Sequence, residues 1–447
     1  CDAWQDSGDP LFAGVVEQTA AWVMREMQSP LPNPLPIPSP QSSPASGRGG
    51  EREKQSSIPA GEGTNESLRE ITIDRGYYSS LDADSEHEEG KFYVWQRDEI
   101  RALLGAEEYA VVERHYGLDR APNFENHAWN LRVSASLAEI AASLNIPAEQ
   151  ASALLDSARK KLFAARTLRI RPGRDEKILA AWNGLMIAGM AHAARVFVRP
   201  DWLHSAQQAI DFVRTTLWRD GKLLATCRNG KAHLNAYLDD HAFLLNALLE
   251  LLQAEYRSAD MAFALQLADA LLERFEDKQD GGFFFTSHDH EVLIQRNKIG
   301  TDNATPSGNG IAAQALLRLS LLTGKPEYAE AAERCLKLFF PALLQDAGYH
   351  CSLCTALAEH LQPPSLLVLR GPAGETDGWR NRLRHRYLPG VITIALADDI
   401  ADLPGALDKP RPQQGAQAAA WLCHGTQCLP PITDPDELLA ELAPGRT

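Results

Sequence analysis

Two kinds of hydrophobic pattern alternate along the second half of the chain. One kind is apolar on nearly every side and predicts three buried helices, at Ile178–Val198, Leu238–Tyr256 and Gly308–Leu322. A short turn follows each of them, and then a segment whose apolar residues fall on one side only, at the spacing of a half-exposed helix. Because helices of the first kind must be enclosed, the alternation predicts an inner ring of helices wrapped by an outer ring, which is a mainly α fold of the (α/α) toroid type.

Each of these three predicted helices carries a polar residue near its start. Asn183, Asp240 and Asn309 occupy equivalent places, 57 and 69 residues apart, which indicates a repeated helix hairpin. The turns from inner to outer helices are short, whereas the segments that lead back to the inner helices are long. The long segments therefore arrive at one end of the predicted toroid, where loops on a rigid scaffold commonly carry ligand chemistry.

Four regions are predicted along the chain. Residues 1–27 contain one amphipathic helix, the outer helix of a first hairpin, so the toroid is predicted to be incomplete at its N-terminus. Residues 28–75 are rich in proline, glycine and serine, lack an apolar period, and are predicted to be a disordered insertion. Residues 76–361 form the barrel. Residues 362–447, with strand-like segments around a helical one, form a small α/β domain.

Composition narrows the range of partners. The 447 residues carry a formal net charge of −15, which disfavours binding to nucleic acid or to an anionic membrane, since both need a cationic footprint. Seven cysteines without a dense framework argue against a disulfide-stabilised secreted domain, and we expect a reducing cytoplasm. The loop at residues 371–374 lacks the spacing of a dinucleotide or phosphate loop, so no cofactor is predicted.

Six sequence blocks carry a resemblance to a known family. They are Gly76–Trp95, Arg171–Leu185, Tyr237–Asp240, Gly281–Phe285, Ala304–Asn309 and Cys423–Cys428. With these blocks in this order, the chain resembles the YyaL and spermatogenesis-associated protein 20 family. The resemblance implies an N-terminal thioredoxin-like domain followed by a barrel of the six-hairpin glycosidase and sugar-epimerase type, of which this chain carries only the second. It also implies that a carboxylate at the position of Asp240 faces sugar hydroxyls.

Asp239 and Asp240 open the second predicted inner helix. A helix cap and the positive end of the helix dipole account for one such acid, but two exceed what a cap needs. Together with the resemblance, this makes Asp240 the first catalytic candidate. Glycosidic bond cleavage requires a second carboxylate across the cleft, and Asp82 is the candidate for it, with Asp84 beside it.

The acid-rich turn around Asp82 and Asp84 leaves two alternatives open, a solvated turn and a loose metal site. An EF-hand is rejected, because glycine is missing from the sixth position and Tyr93 stands at the twelfth, where a bidentate glutamate belongs. No metal ligand is assigned.

Further residues at the same end of the barrel are predicted to contact substrate. They are Asp84, Asp239, Trp182, Asn183, Lys177, Tyr237, Asp302 and Asn309. Tryptophan can stack on the apolar face of a sugar ring, and asparagine can bind its hydroxyls. The structural alternatives are a core position for Trp182 and a surface ion pair of Lys177 with Asp175.

The sequence thus predicts a carbohydrate-related (α/α) barrel that binds a small carbohydrate-like ligand and hydrolyses or isomerises a sugar through acid/base carboxylates. The alternative is a non-catalytic scaffold or redox-associated module that serves the thioredoxin-like domain. Cys423 and Cys428 match the family, but they amount to half of a zinc site, and the sequence alone gives them no role.

Overall fold

The computed structural model describes residues 1–28, 75–291, 294–412 and 418–443, and these form two units. The first unit comprises residues 1–78 and 177–447, and the second comprises residues 79–176. Most of the predicted insertion at 28–75 lies outside the described residues. The predicted domain boundaries stay a prediction.

Fifteen α-helices occur in the described residues. They are α1 Asp2–Ser7, α2 Pro10–Trp22, α3 Arg97–Leu103, α4 Ala106–His115, α5 Leu137–Leu144, α6 Ala148–Thr167, α7 Ala180–Phe197, α8 Pro200–Phe212, α9 Leu238–Ala254, α10 Ser258–Arg274, α11 Gly308–Thr323, α12 Pro326–Gln345, α13 Cys351–Leu361, α14 Ala373–Leu383 and α15 Pro435–Glu441. Helices α2 and α8 continue into π-helical turns at Val23–Gln28 and Val213–Leu217.

The strands are short, apart from those of one hairpin and of the C-terminal sheet. They are β1 Ser80–Leu81, β2 Asp84–Ser85, β3 Glu88–Glu89, β4 Arg174–Asp175, β5 Ile178–Leu179, β6 Trp218–Arg219, β7 Lys222–Arg228, β8 Lys231–Asn235, β9 Ser365–Gly371, β10 Val391–Ala397, β11 Ala419–His424 and β12 Gln427–Cys428. The hairpin of β7 and β8 forms part of the long segment that leads back to α9.

The first unit confirms the predicted class of inner and outer helices. Fourteen of the seventeen residues of α9 are buried, against six of thirteen in α8 and six of twenty in α12, so α9 is enclosed and the other two face water on one side. Helix α7 packs on α9, α9 on α11, and α11 on α13. The fold is therefore mainly helical, with helix hairpins of the predicted kind and a small C-terminal α/β part.

Two inner helices, α7 and α9, approach each other closely at Gly184 of α7. A Cβ at this position would lie 2.6 Å from the backbone carbon of Phe243 in α9, so only glycine fits without moving one of the helices. Gly189, one turn and a half further along α7, has no atom within 4 Å of such a Cβ. The two glycines therefore differ in role, although the sequence presents both in one apolar helix.

The C-terminal sheet has the order β10, β9, β11, β12, in which β9 and β10 are parallel and the other pairs are antiparallel. Alternate residues of β9 face opposite sides, as the two-residue period of a strand requires. Leu366 and Val368 join the main core of the first unit, whereas Leu367 and Leu369 pack in a separate core with Trp379 of α14. The strand-like segments predicted within residues 362–447 are observed as β9, β10 and β11.

Two cysteines of this sheet form a disulfide. Cys423 on β11 and Cys428 on β12 are direct partners in the hairpin, and their sulfur atoms are bonded. Cys423 is buried and Cys428 is exposed. The nitrogen of Lys409 lies 3.3 Å from the sulfur of Cys428. The structure thus gives the pair a role that the sequence could not assign.

The second unit has its own hydrophobic core. Four helices, α3 to α6, pack around a cluster that includes Trp95, Ile100, Val112 and Leu155. Strands β1 and β4 pair antiparallel, with Ser80 opposite Asp175, and thereby join the two ends of the unit. The sequence pattern does not separate this region from the barrel, because short helices with ordinary amphipathic faces resemble those of the outer ring.

Candidate functional site

The candidate site of the first unit lies where α7, α9 and α11 begin. The carboxylate of Asp240 accepts a hydrogen bond from the backbone nitrogen of Ala181 in α7, at 2.8 Å. The neighbouring carboxylate of Asp239 lies against the start of α11, 2.1 Å from the position that a Cβ would take at Gly308. Asp240 therefore holds the N-terminal ends of α7 and α9 together, and Asp239 lies beside the N-terminal end of α11.

Asp240 is buried, and backbone groups bind both of its carboxylate oxygens. Oδ1 accepts from the nitrogen of Ala181 and Oδ2 from the nitrogen of Tyr237, each at 2.8 Å. Burial raises the pKa of Asp240 to about 7, against the lowering effect of these two hydrogen bonds. The side chain thus caps α9 and holds its end to α7, with both oxygens engaged in that contact.

Asp239 has a different environment, although it is the next residue. It is half-buried, and among the described residues its carboxylate has no hydrogen-bond or ion-pair partner. Burial raises its pKa to about 6. A carboxyl group with this pKa exists in both forms near neutral pH, so it can give or take a proton at the start of α9.

Aromatic side chains lie next to these carboxylates in the sequence and in space. The ring of Tyr237 stacks on Phe285 at 4.9 Å and lies 5.2 Å from the ring of His290. Trp182, which follows Ala181 in α7, is 49% exposed and so is not the core tryptophan that was the alternative. Exposed aromatic faces can bind the apolar faces of sugar rings.

Two histidines near this end differ in their hydrogen bonding. His241 is buried and its Nδ1 lies 3.0 Å from the carbonyl of Tyr237, and burial lowers its pKa to about 4, so it is neutral and structural. The ring nitrogen Nδ1 of His290 is also buried but has no hydrogen-bond partner in the described part of the chain. The sequence analysis missed His290. Its only signal was the polar run Ser287–His290 in a long segment.

Asn183 and Asn309 make the same three-bond contact. Oδ1 of Asn183 accepts from the nitrogen of Tyr77, and its Nδ2 donates to the carbonyls of Tyr77 and of Leu179. Asn309 binds the nitrogen and carbonyl of Phe283 in the same way, and its Nδ2 donates to one further carbonyl. Both asparagines are buried and fully engaged with backbone.

The remaining substrate candidates of the first unit are Asp302 and Lys177. The carboxylate of Asp302 accepts from the backbone nitrogens of Ser307 and Ser352 and from the hydroxyl of Ser352. Burial acts to raise the pKa of Asp302, but these hydrogen bonds outweigh it and lower the pKa. Asp302 thus joins the turn before α11 to the start of α13. Lys177 is half-buried and lies just before β5.

Asp82 and Asp84 belong to the second unit. Both are exposed, and the backbone nitrogen of Asp84 donates to the carboxylate of Asp82 at 3.2 Å, so the two form a local turn. Within the ranges that the structure describes, no group of three or more His, Cys, Asp or Glu side chains is arranged to hold a metal ion.

Sequence and structure comparisons give the following likenesses. The chain is 32% identical to human spermatogenesis-associated protein 20 over 412 residues, which is 83% of this chain and 52% of that protein. The chain spans about half the length of the curated relatives it matches. No family model matches the chain.

Solved structures resemble it at low similarity. A GH76 alpha-mannanase from Bacteroides thetaiotaomicron has a TM-score of 0.35 and 13% identity, with 42% of this chain and 55% of that chain covered. A cellobiose 2-epimerase from Bacillus thermoamylovorans has a TM-score of 0.32 and 12% identity, with 60% and 66% covered. Likeness at this level supports no inference about chemistry.

None of the helices in the described ranges combines the length and the apolar character needed to cross a membrane. The likeness to human spermatogenesis-associated protein 20 extends over most of the chain. Over the part that it shares with these relatives, the chain belongs to the YyaL and spermatogenesis-associated protein 20 family.

Proposed function

We propose that the end of the first unit where α7, α9 and α11 begin binds a carbohydrate-like polyol, and that a carboxylate there hydrolyses or isomerises a sugar by proton transfer. The observation that carries the proposal is the state of Asp239. It has a raised pKa of about 6 and no hydrogen-bond or ion-pair partner among the described residues, as a general acid or base requires.

Asp239 takes the proton-transfer role better than Asp240, which was the first candidate from the sequence. Both oxygens of Asp240 accept hydrogen bonds from backbone nitrogens, so proton transfer with a substrate would require breaking a hydrogen bond that caps α9. Asp240 supports its neighbour by fixing the start of α9 against α7. The pairing of Asp240 with Asp82 as two catalytic carboxylates stays a prediction.

Trp182 and Tyr237 supply the aromatic surface for the ligand. Their role is to bind the apolar face of a sugar ring, and the exposed fraction of Trp182 leaves its ring accessible. The ring of His290, 5.2 Å from that of Tyr237, extends this surface.

The test is a ligand screen with mono- and disaccharides, followed by assays of hydrolysis and isomerisation on any sugar that raises the melting temperature. Asp239→Asn should lower turnover by about 10²-fold or more and leave the fold intact. The matched control is Asp220→Asn, an exposed turn residue with φ 51°, a conformation that asparagine adopts readily. Wild-type turnover in Asp239→Asn would exclude this carboxylate from proton transfer.

A second candidate function is a non-catalytic scaffold for a thioredoxin-like domain. It is favoured by the engagement of Asn183, Asp240 and Asn309, whose polar atoms all bind the protein's own backbone. Calorimetry with an isolated thioredoxin-like domain from a longer relative tests it. Saturable binding of that domain together with no sugar-induced stabilisation would support the scaffold over the enzyme.

A further inference from the structure

A cavity of the first unit lies at the end of the inner helices opposite to the candidate site. It has a volume of about 460 Å³, which is the size of pocket that encloses a small organic molecule. Its walls include the C-terminal parts of α7 and α9, the first helix α1, and the segment that follows α14, with further residues from α8, α11, α13, α14 and β10. The carboxylates of the candidate site lie at the other ends of these helices, so the two sites are distinct.

The cavity is rich in positive charge although the chain as a whole is acidic. Its lining includes six arginines, Arg195, Arg199, Arg318, Arg380, Arg384 and Arg386, and three carboxylates, Asp2, Glu250 and Glu359. The chain has a formal net charge of −15, so a local excess of cations is not a property of its composition. Such an excess favours an anionic ligand.

Four of the six arginines already have carboxylate partners. The ion pairs are Arg195 with Glu250, Arg199 with Asp201, Arg318 with Glu359, and Arg380 with Asp377. Arg384 and Arg386 have no ion-pair partner among the described residues. Arg384 donates from Nε to His385, and Arg386 donates from Nη1 to the carbonyl of Leu439. Each guanidinium has five N–H groups, so most of their donors are left for a ligand.

The backbone that carries these two arginines is held in place. The amide of Gln5 in α1 donates to the carbonyl of Arg384 at 2.6 Å and to that of Arg386 at 3.3 Å. The adjacent ring of Trp4 packs on Phe197 at 4.8 Å. Because this wall is fixed before a ligand arrives, binding does not have to order it, which favours affinity.

Part of the lining is apolar, beside polar residues such as Gln5, Gln253 and Thr355. Val198, Leu203, Leu383, Leu388 and Ile392 all line the cavity. A small inorganic ion would leave this surface without a partner, whereas a ligand with an apolar body would cover it.

We infer that this cavity binds a small organic anion, a molecule with an apolar body and one phosphate or carboxylate group held by Arg384 and Arg386. Planar guanidinium groups bind both kinds of oxyanion through paired N–H donors. The ligand occupies the C-terminal ends of the inner helices and does not depend on the carbohydrate site.

The test is calorimetric titration of the protein with phenyl phosphate, benzoate and benzyl alcohol, which share an aromatic body and differ in their head group. At least one of the two anions should bind saturably, and the neutral alcohol should not. Tighter binding of phenyl phosphate identifies a phosphate ligand and tighter binding of benzoate a carboxylate ligand. Equal binding of the alcohol, or no binding of either anion, would overturn the inference.

The double variant Arg384→Gln/Arg386→Gln should weaken binding by about tenfold or more, as the loss of charge-assisted hydrogen bonds implies. Arg382→Gln is the matched control, because this arginine lies at the end of α14, directly before the segment that carries Arg384 and Arg386, pairs with Asp436 and does not line the cavity. Equal weakening in the control would overturn the assignment. If the double variant unfolds, the affinity of the wild-type protein for the anion is measured at increasing salt concentration instead. An affinity that does not fall with added salt contradicts an anion held by arginines.

Discussion

Replacing Asp240 by asparagine tests whether the side chain of Asp240 stabilises the fold by holding the two helix ends together. The asparagine side chain keeps one oxygen but places an NH₂ group where the second carboxylate oxygen accepts from a backbone nitrogen. One N–H donor, that of Tyr237 or that of Ala181, therefore loses its acceptor at a contact that is partly buried. A buried group left unsatisfied in this way costs about 1–3 kcal/mol. At pH 4.5 the folded wild type holds a proton on Asp240, but both oxygens of a protonated carboxyl can still accept, and we expect Asp240→Asn to be less stable by about 2 kcal/mol.

The difference should change sign as the pH rises. The folded-state pKa of Asp240 is raised to about 7, so between its unfolded value near 4 and pH 7 the folded protein holds a proton that the unfolded chain has lost. Stability of the wild type therefore falls through this window, by about 1.4 kcal/mol per pH unit for this one group. The asparagine variant has no such proton. By pH 7 the wild type should have lost about 3 kcal/mol relative to the variant, which then becomes the more stable.

Urea unfolding followed by circular dichroism at pH 4.5, 5.5 and 7 measures both effects. Asp220→Asn, at an exposed turn, should differ from the wild type by less than about 0.5 kcal/mol at each pH. A constant difference between wild type and Asp240→Asn across the three pH values would show that the pKa of Asp240 is not raised. Equal stability at pH 4.5 would show that its two hydrogen bonds do not hold the helix ends.

Three further predictions concern other parts of the first unit. Gly184→Ala should lower the free energy of unfolding in urea by about 1–3 kcal/mol, because the new Cβ meets the backbone of α9. Gly189→Ala has open space and should raise the free energy of unfolding by about 0.5–1 kcal/mol. Equal effects of the two variants would contradict the close approach at Gly184. Once a substrate is found, the rate should change near pH 6 as Asp239 titrates, and Asp239→Asn should abolish this limb; its persistence would point to another group. Reduction of the bond between Cys423 and Cys428 should cost about 2 kcal/mol by the loop-entropy model, and unchanged urea unfolding under reductant would exclude that contribution.

The inner helices were predictable from the sequence because burial on all sides leaves a pattern that no exposed helix shows. The predicted helix at 238–256 is observed at Leu238–Ala254, and the one at 308–322 at Gly308–Thr323. Their equivalent polar marks were also recognised. The partners of those marks were not, since Asn183 binds Tyr77, which is 106 residues away, and such pairs depend on the packing of distant segments.

Other features left too weak a signal in the sequence. The separate core of residues 79–176 arises from helices whose patterns resemble those of outer barrel helices. The bond between Cys423 and Cys428 follows from a tight hairpin that makes them direct partners, and sequence spacing alone does not distinguish such a pair from half of a metal site. Whether Nδ1 of His290 finds a hydrogen-bond partner depends on the residues packed around it, and no local sequence pattern predicts them.

The repeated polar residues and the chemically available ones occupy different positions, and this separation explains how the scaffold can carry function. Asn183 and Asn309 each hold a backbone segment beside the start of an inner helix, and Asp240 does the same between two helix ends. A residue that fills this structural place in every hairpin has no polar atom left for a ligand. Asp239 stands one position before Asp240, and because successive helical side chains point about 100° apart, it faces away from that contact. Chemistry in such a barrel is therefore expected at residues adjacent to the repeated ones, where the helix end is already fixed.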